Sequence, residues 1–239
     1  MTSPQVCITA ISENAILLEW PELICPRQHK HILACEQLIK QRLAETLIDS
    51  IAAYSSLIIY YRFEQIPLAR LIKDLHQLVA TLEVGEQAAG LSNTIEIPVY
   101  YHPEAGWDLT HVSQALSLTV EEVIKRHSQT SYTAYALGFT PGFCYLGTLD
   151  NSLQLPRRST PRLNVPKGAV AIAEQQTAVY PNTSPGGWHI IGQTPMAMYR
   201  ATANNFIPAI AIGQQVRFKP IDRDSFIELG GKLVKDDSK

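Results

Sequence analysis

At 239 residues, with 46% hydrophobic and 18% charged side chains, the chain has the composition of a globular protein with one large core or two modest ones. A formal net charge of -2 excludes long-range attraction to nucleic acid or an anionic membrane, and no apolar run approaches the ~18 residues of a membrane helix. The opening Met-Thr-Ser-Pro-Gln-Val has no basic stretch leading into an apolar one, so a cytoplasmic protein is expected. Cys7, Cys25, Cys35 and Cys144 are spaced irregularly and read as free, buried thiols of a reducing compartment.

In chain order, Cys7–Ile11 and Ala15–Trp20 predict a hairpin around Ser12-Glu13-Asn14. Apolar residues at helical spacing predict a helix from Arg27 to Leu47, then a strand over Ser56–Arg62 and a second helix over Ile66–Leu82. The order strand, strand, helix, strand, helix indicates an α+β layer, and Glu83–Gly90 reads as a linker. The second half opens with a strand over Asn93–Tyr101 and two short helices. Asp108 is placed to cap the first, and Thr119 with Glu122 forms a capping box for the second, which ends near His127. Beyond it, Ser131–Leu137, Gly168–Ala173, Thr177–Tyr180, Trp188–Gly192 and Gln215–Pro220 read as short strands between breakers, the pattern of a closed barrel. The tail Lys235–Lys239 reads as frayed.

Chemistry is sought between residues 138 and 192, which hold 7 of the 13 glycines and 6 of the 15 prolines. Such punctuation among aromatics predicts tight turns presenting side chains on a rigid scaffold. Gly142–Gly147 has the glycine spacing of a phosphate loop, but Thr148 and Leu149 stand where that loop requires lysine and a hydroxyl. Arg157, Arg158 and Arg162, punctuated by Pro156 and Pro161, put three guanidinium forks within six residues, suited to carboxylate or phosphate oxygens and read here as solvent-facing. His127 is the candidate for proton transfer. Cys25, His29, His31 and Cys35 are metal-ligating types, yet residues two apart on a helix point to different faces, so no metal site is expected.

The segments Gly138-Phe-Thr-Pro-Gly-Phe-Cys-Tyr-Leu-Gly147, Pro156-Arg-Arg158, Pro161-Arg162, Gln176-Thr177, Tyr180-Pro181 and Ser184-Pro-Gly-Gly-Trp188, in this order, resemble the KipI family. That family is also called allophanate hydrolase subunit 1 and includes the B-type subunit of bacterial 5-oxoprolinase. The resemblance implies a ferredoxin-like α+β domain over residues 1–90 and a mainly β, cyclophilin-like barrel domain over residues 91–232. It further implies a cytoplasmic complex with a homologue of allophanate hydrolase subunit 2, which is the C-type subunit of 5-oxoprolinase, and with an A-type subunit of the lactam-utilisation type. Such a complex opens 5-oxoproline to glutamate at the expense of ATP. The chain alone is expected to be inactive. On this reading Arg157, Arg158 and Arg162 supply charge, with His127, Arg158 and Arg162 the catalytic candidates. Gln176 and Thr177 supply hydrogen bonds and Tyr180 and Trp188 an apolar wall, with Phe143, Tyr145, Gly186 and Gly187 the further substrate- or anion-binding candidates. The family also includes an inhibitor of a sensor histidine kinase, and in that alternative Phe139, Phe143, Tyr145 and Trp188 are partner anchors. The chain departs from the family pattern with Glu174 and Ala178 where glycines are common, Lys167 in place of a small residue, and Gln193 where arginine is usual.

Overall fold

The computed structural model describes residues 6–22, 24–82, 93–202 and 205–236. Two compact units divide the chain, Met1–Gly90 and Leu91–Lys239. The Glu83–Gly90 segment read as a linker lies outside the described residues, as do residues 237–239 of the tail.

The first unit runs β1 (Cys7–Ser12), β2 (Ala15–Glu19), α1 (Pro26–Arg42), β3 (Leu47–Ala53), β4 (Ser56–Tyr61) and α2 (Leu68–Thr81). Its strands form one antiparallel sheet in the order β1-β2-β4-β3. Ile16, Leu18, Leu57 and Ile59 from the sheet share a buried core with Ile32 and Ile39 of α1 and Leu71 and Leu75 of α2. The first helix is shorter than its apolar spacing predicts. It stops at Arg42, where the Thr46 and Leu47 amides fold back onto the Leu43 carbonyl and turn the chain into β3. The unit therefore has four strands where three were expected. Of the four cysteines, Cys35 and Cys144 are buried as expected, but Cys7 is exposed on β1.

The second unit runs β5 (Ile95–Tyr100), α3 (Leu109–Ala115), α4 (Val120–Gln129), β6 (Tyr132–Leu137), β7 (Cys144–Gly147), β8 (Arg162–Val165), β9 (Ala169–Ala173), β10 (Gln176–Val179), β11 (Ser184–Gly186), β12 (His189–Gln193), β13 (Tyr199–Thr202), β14 (Asn205–Pro208), β15 (Gln215–Ile221) and α5 (Arg223–Glu228). Seven strands close into a barrel in the order β10-β7-β6-β15-β5-β12-β9. All its pairings are antiparallel except β5 with β15, which run parallel from Ile95 opposite Val216 to Tyr100 opposite Ile221. Inward residues such as Ile97, Val99, Ile172, Ile191, Val216 and Phe218 fill the barrel and leave no lumen. Two ribbons lie outside it, β8 with β11 and β13 with β14. The capping box of α4 is present, Thr119 accepting from the Glu122 amide while the Glu122 carboxylate accepts from the Thr119 amide. Among the described residues no helix is long and apolar enough to cross a membrane.

Candidate functional site

The ribbon of β8 and β11 carries the arginines. Arg162 opens β8 and sits opposite Gly186 of β11. Upstream, the Arg158 amide donates to the Gly187 carbonyl at 2.8 Å, and the His189 ring meets the Pro156 carbonyl at 2.9 Å. Residues 156–165 are thus stitched along residues 184–189. Gly186 has to be glycine here, because a Cβ would lie 2.2 Å from the Tyr180 hydroxyl.

The guanidiniums that this stitching holds do not face solvent as expected. Arg162 forks onto Asp108, Nη1 to Oδ2 at 2.7 Å and Nη2 to Oδ1 at 2.8 Å. Arg158 Nη1 donates to the same Oδ1 at 2.8 Å, and the Ile190 amide donates to Oδ2 at 2.8 Å. Both charged side chains of the Arg162–Asp108 pair are 4% exposed. Asp108 accordingly makes no side-chain cap to α3, although it stands at the N-cap position. Two guanidiniums outcompete one backbone amide for its oxygens. Arg162 also lies over the Trp107 ring, 5.4 Å from its centroid. Arg157, by contrast, projects outward, where its nearest ion pair is Glu174 at 3.7 Å. Glu174 itself holds φ at 53° in the two-residue turn between β9 and β10, a left-handed backbone that explains why glycine suits this position.

Beside the clamp lies a groove of about 670 Å³, within the range of small-molecule sites. Arg158, Arg162, Lys167, Lys232 and Lys235 line it against one lining carboxylate, Asp236. The segment after α5 returns across this groove. Gln193 Nε2 donates to the Lys167 and Lys232 carbonyls at 2.9 and 3.1 Å, Trp107 Nε1 to the Val234 carbonyl at 3.2 Å, and Arg162 Nη2 to Asp236 Oδ2 at 3.3 Å. The tail read as frayed is therefore bonded as far as Asp236.

The remaining sequence candidates fall into two groups, and most are structural. His127 is fully buried among Tyr132 and Phe218. Thr177 Oγ1 gives its proton to the Ala171 carbonyl, so it accepts from His127 Nε2–H at 2.8 Å, leaving Nδ1 to accept from the Tyr101 hydroxyl at 2.7 Å. Burial pushes the imidazole down to about 3. A neutral ring with both nitrogens used and no solvent path cannot transfer a substrate proton, so the catalytic reading of His127 is corrected to a core role. Thr177 shares that fate. The apolar wall is likewise a packed cluster: Phe143, Tyr180 and Trp188 are buried, Tyr145 is half-buried, and Phe143 contacts the other three edge to face at 4.8–5.9 Å. Only Phe139 of that aromatic set is exposed. Gln176, half-buried, begins β10 opposite Gly147, away from the arginine groove's lining. Gly187 stays beside the site, its carbonyl accepting from the Arg158 amide and its Cα facing Pro161. What sequence reading missed is Asp108 as the clamp's centre, together with Lys167, Gln193 and Asp236.

Gly142–Gly147 runs from a positive-φ turn at Gly142 through β7, which pairs with β6 in the barrel wall. Among the described residues no group of three or more His, Cys, Asp or Glu is placed to hold a metal ion. The would-be ligands His29, His31 and Cys35 are buried in α1.

The chain belongs to the family described as carboxyltransferase domain, subdomain C and D, whose model matches residues 6–209. Its relatives include three proteins named as the B-type subunit of 5-oxoprolinase, the same proteins to which the glycine- and arginine-bearing motifs pointed. The one from Bacillus subtilis is 33% identical, covering 82% of this chain and 85% of its own. That from Haemophilus influenzae is 36% identical over 80% and 87%, and that from Escherichia coli O157:H7 is 34% identical over 88% and 94%. Among solved structures, TTHA0988 superposes with a TM-score of 0.73 at 33% identity, covering 87% of this chain. This chain spans only 40% of that longer one. The urea carboxylase of Kluyveromyces lactis shares the fold at a TM-score of 0.72 and 14% identity, with 98% of this chain and 24% of that one aligned.

Proposed function

We propose that the protein is the B-type subunit of an ATP-dependent 5-oxoprolinase, the enzyme that opens 5-oxo-L-proline to L-glutamate, and that its cationic groove holds a carboxylate of the substrate or product. The observation that carries this reading is the similarity to three B-type 5-oxoprolinase subunits over 80–88% of the chain. The geometry adds the chemistry. A lactam resists hydrolysis because its amide is resonance-stabilised, and ring opening builds negative charge on the carbonyl oxygen. A groove with five cationic side chains against the carboxylates of Asp236 and, behind it, Asp108 anchors an anionic ligand and stabilises such charge. Arg158 is the better placed of the two clamp arginines to touch a ligand, since its side chain is 27% exposed against 4% for Arg162. Arg162 is a positioning residue, its fork spent on Asp108.

ATP belongs, on this proposal, to the assembled complex, whose other members are a C-type homologue and an A-type protein of the lactam-utilisation kind; no step on this chain runs through the nucleotide. The domain classes follow the same line. The sheet order β1-β2-β4-β3, with β2-α1-β3 flanking β4, supports a ferredoxin-like class in which the hairpin strand β1 occupies the edge that a last strand would fill, and the closed barrel supports the cyclophilin-like class. The kinase-inhibitor alternative loses two of its four anchors, because Phe143 and Trp188 are core residues.

Reconstitution tests the proposal. The purified chain alone is expected to leave 5-oxo-L-proline unchanged, and addition of the two partner proteins with ATP to release glutamate. In that assay Arg158→Lys, which keeps the charge and loses the fork, is expected to lower turnover about tenfold. Turnover by the isolated chain, or a full complex that releases no glutamate, would overturn the assignment.

A further inference from the structure

The groove is already holding a carboxylate, and it belongs to the chain itself. One aspartate between two arginines leaves the clamp one charge short of neutrality, and Asp236, its side chain 9% exposed, supplies the missing anion on Arg162. Its bond to Arg162, at 3.3 Å, is longer than the 2.7–2.8 Å hydrogen bonds that the Asp108 carboxylate accepts. Leu233 packs beside the Tyr100, Ala105 and Phe226 cluster and anchors the segment, whereas Val234 and Lys235 beyond it are exposed. Val234 is tied down by one 3.2 Å bond from Trp107.

We propose that Val234–Asp236 is a built-in occupant of the groove, with the Asp236 carboxylate standing where the carboxylate of a small-molecule ligand binds, so that ligand and tail exclude each other on Arg162. This deepens the reading of the groove given above and rests on it. Lys167 and Lys232 line the same groove and add to the positive field that either carboxylate meets there. A competing internal carboxylate lowers the apparent affinity of any ligand by the ratio of bound to released tail, and keeps Arg162 paired when no ligand is present.

The test is calorimetric titration of the full-length chain and of Asp236→Asn with 5-oxo-L-proline, and with its uncharged carboxamide as control. Removing the competing charge is expected to tighten 5-oxo-L-proline roughly five- to tenfold while leaving the carboxamide unchanged. Equal or weaker binding of 5-oxo-L-proline to Asp236→Asn would overturn the proposal. Hydrogen exchange on the unaltered chain supplies a second measurement that needs no variant. Tens of millimolar acetate or 5-oxo-L-proline should speed exchange of the amides at 234–236, and slowed or unchanged exchange with both would count against the strap. Displacement by acetate in a chain whose reconstituted complex makes no glutamate would sink the 5-oxoprolinase assignment and leave the strap standing.

Discussion

Asp108 draws donors from Arg158, Arg162 and the Ile190 amide, 50, 54 and 82 residues away in the chain, so a single carboxylate ties α3, β8 and β12 together. Removing its charge while keeping its shape takes a carboxylate from both guanidiniums and leaves nearly buried Arg162 to Asp236. Asp108→Asn is therefore expected to cost about 3 to 5 kcal/mol, and Arg162→Lys about 2, read as a lowered denaturant midpoint. Arg158→Lys, at a partly exposed site, should cost under about 1 kcal/mol. The reading of the arginines as solvent-facing holds for Arg157, in part for Arg158, and fails for Arg162. His127 makes a different kind of prediction. The unfolded chain takes up a proton on this ring near 6.5, whereas the folded chain resists until about 3. Its contribution to stability is therefore whole above neutral pH and is lost on acidification below about 6.5, reaching about 2 kcal/mol by pH 5. Urea titrations at pH 7 and pH 5 should show that loss, and His127→Gln should flatten it; an unchanged slope in the variant would assign the acid sensitivity elsewhere.

At the scale of elements, what is legible in the sequence and what is not divides by range. The capping box of α4 is readable because Thr119 and Glu122 satisfy each other within one turn. Asp108 at the start of α3 carries the same local signal and does something else, because its partners are set by the fold of β8 and β12. The first helix reads one turn too long for lack of any Gly or Pro between Arg42 and Leu47, and β3, which starts where that extension ends, alternates too irregularly in Leu47-Ile-Asp-Ser-Ile-Ala-Ala53 to declare itself. Strands β7, β8, β11, β13 and β14 are three or four residues each, too short for alternation to declare itself. The glycines are meaningful as expected, though for packing more than for ligand approach. Gly186→Ala tests this: its methyl group would collide with the Tyr180 hydroxyl, whose ring is locked against Phe143. A loss of about 2 to 4 kcal/mol is expected, seen as a melting temperature lowered by about 5 °C or more. Gly187→Ala, where a Cβ meets only ordinary contacts at 3.6 Å, is the matched control and should melt nearly as the parent does.

For the molecule as a whole, the closure of the barrel has a consequence in time. β5 has its long pairing with β15, over six residue pairs, and only Gln193 opposite Tyr100 on its other side. Val216 follows Ile95 by 216 - 95 = 121 residues, so during synthesis β5 waits for about 6 to 24 s at ordinary elongation rates before its main neighbour exists. Throughout that interval the nascent barrel exposes raw strand edges at β5 and β6, the two places β15 fills. The first unit has no such wait, since each of its strand pairings is complete by Tyr61. Chains released before β15 emerges should thus carry one finished unit and one sticky one, and ribosome-bound fragments ending near residue 210 should be held by chaperones far more than full-length chains.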